Sequence, residues 1–259
     1  MSRDDIKEFW EEQAEKFGTG YEASWQDLFA VNLEIEALES HIPSGKSVLN
    51  AGCANAYSFI EQMKEGNFAK ATGIDYSEEM ITQARKNVAE LDKDDFCEIE
   101  LLVADVRELP FSDGTFDVTY TTRTLINLPT WEHQKKAIGE CLRVTKEGGR
   151  VIFQEAFWEP LVVLNSLRTV CGLSPLVEHD FNKYLKKSKL ETFLRELGLG
   201  FKVDEFSSIY YLGTRLLREM LRGKTPMEFT NPFNESFYEL ELKYTGVKCG
   251  IQQAYIIDK

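Results

Sequence analysis

Residues 47–59 read SVLNAGCANAYSF, and this stretch decides how the rest of the chain is read. Ser47 to Ala51 form an apolar run too short for a helix, which is the pattern of a strand buried on both faces. Gly52, Cys53, Ala54 and Ala56 follow, and a turn of such small residues lets backbone N–H groups meet a ligand with no bulky side chain between them. A helix is expected to open near Tyr57, where its N-terminus would face an anionic group.

The same rhythm repeats downstream. KATGID (70–75) is the second strand, and the next helix is opened by Ser77 as N-cap, with Glu78 and Glu79 in its first turn. EIELLVAD (98–105) and FDVTYTT (116–122) are the third and fourth strands, the fourth entered through the Asp113-Gly114 turn. A helix over 131–145, capped by Thr130, leads to RVIFQEAF (150–157). Alternation at this spacing predicts an α/β, Rossmann-like, doubly wound and mostly parallel sheet. Two amphipathic helices, 5–17 and 28–42, precede it, separated by a loop that carries Tyr21 and Trp25. Beyond 157 the reading gives a helix over 188–198 with a Ser188/Glu191 capping box and Gly198 at its end, a strand over 201–212, a helical aromatic insert, and a last strand over 250–258.

Composition narrows the function. With 30 Lys and Arg against 43 Asp and Glu the net charge is −13, which argues against nucleic acid or an anionic membrane as partner. YLKKSK (184–189) is the one dense basic run and reads as a solvated helix start. The five cysteines are scattered, with no C-x-x-C pair, as for reduced thiols; no metal is expected. The longest apolar run, FWEPLVVLNSL (157–167), is too short to span a bilayer and the N-terminal stretch is acidic, so the expected location is cytoplasmic.

Polar residues then mark the carboxyl ends of three strands: Asp75, Asp105, and the segment TTRTLINLP (121–129). Ligands in open α/β sheets lie at that edge. These residues resemble the class I S-adenosylmethionine-dependent methyltransferases of the small-molecule type. The first motif of that family, acidic-x-Gly-x-Gly-x-Gly, stands here as Asn50-Ala51-Gly52-Cys53-Ala54-Asn55-Ala56. GIDYSEEMI, LLVADVRELPFSDGTFDV and ECLRVTKEGGRVIF resemble the later motifs. A Rossmann dehydrogenase is disfavoured because G-x-G-x-x-G is missing. Asn50 replaces the acidic residue and Ala54 and Ala56 replace glycines; since alanine suits such a turn at negative φ, the loop is expected to be slightly reshaped.

The resemblance implies seven strands with the last antiparallel, and S-adenosylmethionine as cofactor. It divides the chain into an N-terminal helical lid (1–45) and a cofactor-binding domain (46–259) with acceptor-site insertions at about 157–187 and 213–243. It places Asn50, Gly52, Cys53 and Ala54 in the cofactor-binding turn, with Gly52 against the methionine moiety. Asp75 would take the ribose hydroxyls, Tyr76 and Met80 the adenine faces, Asp105 and the Val106 backbone the adenine edge, and Thr121 and Thr122 the methionine moiety. On the acceptor side, Arg123 is expected to fork onto an anionic substrate with Asn127 beside it, and Glu155 and His179 are candidate bases. Tyr21 and Trp25, with Phe229, Phe233, Phe237 and Tyr238, would close the pocket. The expected activity is methyl transfer to oxygen or nitrogen of a small, anionic molecule, by a monomer or homodimer. RTLINLPTWEHQKKAIGECLRV also resembles methyltransferases of bacterial surface-glycan synthesis, pointing to a sugar or sugar-linked phosphate. The competing expectations are a non-catalytic cofactor-binding protein and a protein methyltransferase.

Overall fold

The apolar run at 47–51 is a strand with a neighbour on each side, which is why its last four residues are buried. A computed structural model describes residues 3–66, 68–91, 97–222, 228–244 and 249–259; part of the insert expected at 213–243 (223–227) lies outside the described residues. In chain order the helices are α1 (Arg3–Phe17), α2 (Leu28–Glu39), α3 (Tyr57–Gly66), α4 (Glu78–Ala89), α5 (Trp131–Val144), α6 (Trp158–Val170), α7 (Lys187–Glu196), α8 (Ser208–Leu212), α9 (Arg218–Arg222) and α10 (Pro232–Lys243). The strands are β1 (Ser47–Ala51), β2 (Lys70–Asp75), β3 (Glu98–Val103), β4 (Phe116–Thr122), β5 (Thr145–Ala156), β6 (Lys202–Asp204) and β7 (Gln252–Asp258).

These strands form one sheet in the order β3-β2-β1-β4-β5-β7-β6. Strands β1 to β5 are mutually parallel, and β7, the last, runs antiparallel between β5 and β6. Alternate side chains of each strand face two separate cores. One packs Leu49, Val151, Phe153, Tyr255 and Ile257 against Ile138 and Leu142 of α5 and Leu190 and Leu194 of α7. The other packs Val48, Val118, Ile152 and Ile256 against Leu38 of α2, Phe59 and Ile60 of α3 and Ile81 of α4. Burial on both faces explains why the strands read as continuous apolar runs. The order of strands reverses between β1 and β4, which opens a crevice at their carboxyl ends. No helix among the described residues is long and apolar enough to cross a membrane.

Two expectations fail locally. The strand predicted over 201–212 is only three residues long, and 208–212 coil into α8 followed by a π turn at Gly213–Leu217. The Glu241 carboxylate of α10 accepts the Tyr210 N–H at 2.7 Å, so a side chain thirty-one positions away caps these amides in place of a neighbouring strand. Its burial pushes the Glu241 carboxyl up to about 7. Ser188 does not cap α7 either: Glu159 of α6 accepts the Lys187 and Ser188 N–H groups at the start of that helix.

Candidate active site

The turn after β1 keeps the conformation of a glycine-rich loop although two of its positions are alanine. Gly52 has φ +106°, and Ala54 and Ala56 hold φ +48° and +62°. The expected reshaping is therefore absent, and the alanines carry left-handed backbone at roughly 1–2 kcal/mol each. Identifiable hydrogen bonds hold them there. The Ala54 N–H donates to Asp75 Oδ2 at 2.9 Å, and the Gly52 and Cys53 N–H groups both donate to the Ile74 carbonyl at 2.8 Å. Asn55 Nδ2 donates to the Gly18 and Gly20 carbonyls at 2.9 and 2.7 Å, tying the α1–α2 loop to this turn. A Cβ on Gly52 would overlap the side chain of Thr124 on the neighbouring loop.

Asp75 and Asp105 close adjacent strand ends and line one cavity, with about 1180 Å³ of atom-free space including its mouth. Asn50, Gly52, Cys53, Ala54, Tyr76, Met80 and Val106 share its wall. Asp75 is fixed by the N–H groups of Ala54 and Ser77, the latter donating to Oδ1 at 2.9 Å. Crowding by the turn removes solvent and holds its carboxyl above the usual carboxylate range, against the pull of those amides. Asp105 forms a bidentate pair with Arg107, whose Nη2 donates to Oδ2 at 2.6 Å. Ile74, Met80, Ala104 and Val106 add apolar lining to the same cavity, which suits a flat base.

Thr121 does not reach this cavity. Its side chain is fully buried and Oγ1 donates to Glu155 Oε1 at 2.7 Å, whereas Thr122, on the opposite face of β4, lines the wall. Glu155 lines neither this cavity nor its neighbour. Its carboxylate is fully buried and also accepts the N–H groups of Thr124, Leu125 and Ile126 at 3.1, 3.0 and 3.3 Å. It anchors the loop that leaves β4, and burial pushes its carboxyl up to about 7. A group so enclosed touches no substrate, which removes it as a base.

Arg123 stands on that loop with φ +51°. Its Nε donates to Glu34 Oε1 at 2.8 Å, Nη1 donates to the Ser24 carbonyl at 3.0 Å, and the guanidinium lies 4.9 Å from the Trp25 ring centroid. The fork expected to grip an anion is thus paired with a carboxylate that is 1% exposed. Burial pushes the Glu34 carboxyl up while Arg123 pulls it back.

A second cavity adjoins the first. Trp10, Ser24, Arg123 and Asn127 line both. Trp25, Tyr184, Tyr211 and Phe229 belong to its lining, and His179, exposed, lies on it too, its ring tilted against Phe181 with ring centroids 4.2 Å apart. Of the other aromatics expected to close the pocket, Tyr21 packs on Tyr57, Phe233 on Phe237, and Tyr238 on Phe29, outside both linings. Sequence reasoning missed Trp10, Ser24 and Arg107. Arg107 had a signal, since an arginine two residues after a strand-end aspartate can close back on it; Trp10 and Ser24 arrive only through the packing of α1 and its loop.

The comparisons agree with this geometry. A family model described as "Methyltransferase domain" matches residues 48–149. The ubiquinone biosynthesis O-methyltransferase of Nitrosococcus oceani is 26% identical over 196 residues, covering 73% of this chain and 78% of that protein. The demethylmenaquinone methyltransferase of Desulfitobacterium hafniense is 32% identical over 159 residues, covering 57% of this chain and 60% of that protein. Among solved structures, magnesium protoporphyrin IX methyltransferase from Synechocystis with bound S-adenosylhomocysteine shares the fold, with TM-score 0.61, 14% identity and 99% of each chain covered. The family model over residues 48–149 and the methyltransferase relatives identify a class I S-adenosylmethionine-dependent methyltransferase domain in this chain, and the solved structure shares its fold.

Proposed function

We propose that the first cavity holds S-adenosylmethionine and the second a small ring compound whose oxygen or nitrogen receives the methyl group. The observation that carries this is the shared wall of Trp10, Ser24, Arg123 and Asn127 between a cavity edged by carboxylates and one walled by aromatic rings. The donor set suits a nucleoside. Asp75 offers carboxylate oxygens for the ribose hydroxyls, Met80 and Val106 take the adenine faces, and Asp105, already neutralised by Arg107, meets its edge. Asn50 Oδ1, buried and without a hydrogen-bond partner among the described residues, suits the amino group of the methionine moiety. Bound there, the cofactor supplies a methyl group on a sulfonium.

The chain's own contribution is position and dryness. Methyl transfer requires the acceptor atom to approach in line, and holding both partners in one geometry supplies several kcal/mol of the barrier. The Glu155 carboxylate fixes the loop carrying Arg123 and Asn127, and α1 brings Trp10 over the junction, so residues 1–45 serve as the lid. His179, on the lining of the second cavity, is the base for a hydroxyl acceptor. Because Glu34 already supplies the counter-charge of Arg123, the acceptor is neutral or cationic, not anionic as the sequence suggested. Aromatic walls accord with the ring chemistry named in the two quinone-related relatives and equally with a stacked sugar. Release of S-adenosylhomocysteine from S-adenosylmethionine in the presence of phenols, aryl amines and glycosides tests this. Turnover of at least one class is expected. Cofactor binding without turnover of any would leave the chain a binding protein.

A further inference from the structure

We infer that the second cavity selects an acceptor bearing at least two hydrogen-bond donors, hydroxyl or ammonium, through the amide oxygens of Asn127, Asn182 and Gln252. The inference rests on reading that cavity as the acceptor site. Among the described residues eight buried side-chain polar atoms lack a hydrogen-bond partner, and three of them, Asn127 Oδ1, Asn182 Oδ1 and Gln252 Oε1, belong to residues on the lining of the second cavity, Asn127 at its wall with the first. Native proteins leave few such atoms, because each costs roughly 1–3 kcal/mol unless something donates to it.

Two of the three oxygens are oriented by what their amide nitrogens do. Gln252 is 2% exposed, and its Nε2 donates to Glu34 Oε1, which leaves Oε1 as the free end of the amide. Asn127 Nδ2 donates to the Arg123 carbonyl at 2.9 Å, so its Oδ1 is likewise the unused end. An amide turned the other way would set its carbonyl oxygen against an acceptor already in place. Asn127 and Gln252 therefore keep amide oxygens without a donor on residues that line the cavity, and a ligand that satisfies them must bring O–H or N–H groups.

Fixed charge points the same way. Arg123 is paired with Glu34, and Arg215, which lies behind Phe229 with its guanidinium 4.8 Å from the ring centroid, is paired with Asp27. Glu22 is the remaining carboxylate on the lining. Aromatic faces beside carbonyl oxygens suit either a stacked polyhydroxylated ring or an ammonium group.

The test is calorimetric titration of the full chain, saturated with S-adenosylhomocysteine, with matched probes. Pyrogallol and methyl glucoside carry hydroxyl donors, benzylamine carries an ammonium, and pyrogallol trimethyl ether and benzoate carry neither. At least one donor-bearing probe should bind about tenfold tighter than the ether and benzoate, and which one binds separates the hydroxyl from the ammonium source. Gln252→Met and, on an irregular segment outside the sheet, Asn182→Leu should each weaken that probe about fivefold with cofactor affinity unchanged. Equal binding of the ether or benzoate, no binding of any donor-bearing probe, or indifference of both variants overturns the inference. Failure of the wild-type chain to take up S-adenosylhomocysteine would instead strike the methyltransferase reading beneath it.

Discussion

Replacing Glu155 by Gln keeps Oε1 where Thr121 Oγ1 and the N–H groups of Thr124 and Leu125 donate to it, and changes only the oxygen that accepts from Ile126. The new amide N–H₂ then meets the Ile126 N–H donor to donor, a loss of about 1–2 kcal/mol. Against this stands the removal of a buried charge. A carboxyl raised from 4.5 to about 7 binds its proton more tightly folded than unfolded, so the wild type loses stability as pH rises between those values. The loss is ~3 kcal/mol for an elevation of this size, absent well below the unfolded value and fully developed above the folded one. Urea denaturation at pH 4.5 and pH 8 should therefore show the stability difference between Glu155→Gln and wild type moving by ~3 kcal/mol in favour of the variant as pH rises. Glu241, raised for the same reason, titrates in both proteins and cancels in the comparison. A difference that does not move with pH would refute the buried-anchor reasoning. So would a Glu155→Gln protein that folds and binds cofactor yet loses turnover by about a hundredfold or more, which is the signature of a base.

Three further outcomes follow from the turn and its neighbours. Gly52→Ala forces a Cβ into Thr124 at φ +106° and should lower stability by about 2 kcal/mol while weakening S-adenosylhomocysteine binding about tenfold or more, read by denaturation and calorimetry. Ala54→Gly and Ala56→Gly relieve left-handed alanines and should each raise stability by about 0.5–1 kcal/mol with cofactor affinity preserved; a loss of stability would mean the positive φ values are wrong. Arg123→Ala leaves Glu34 buried without its cation and should cost about 3 kcal/mol in denaturation, whereas a surface-like effect under about 1 kcal/mol would contradict the buried pair.

The parallel half of the sheet was legible because strands buried on both faces spell apolar runs, and because helix starts such as Ser77 and Thr130 carry their own caps. Asp75 and Asp105 were legible as carboxylates at one edge of the sheet because they stand at the ends of neighbouring apolar strands of the same direction, and they line one cavity. What escaped the sequence depends on partners distant along the chain. Alternation at 201–212 is read as a strand until Glu241 is seen capping α8, and Ser188 looks like a cap until Glu159 takes its place. Thr121 and Thr122 are neighbours on opposite faces of β4, and only the packed structure tells which one lines the cavity. Arg123 looked available because Glu34, eighty-nine residues earlier, gives no sign in the sequence of being buried beneath it.

The proposed activity requires Asp75 to hold a nucleoside at the carboxyl edge of β2. Calorimetric titration of S-adenosylhomocysteine into the wild-type chain and a folded Asp75→Ala variant tests it most directly. Saturable binding to the wild type, weakened about tenfold or more in the variant, is the predicted result. Equal affinity in the two proteins, or no binding to the wild type, would contradict it.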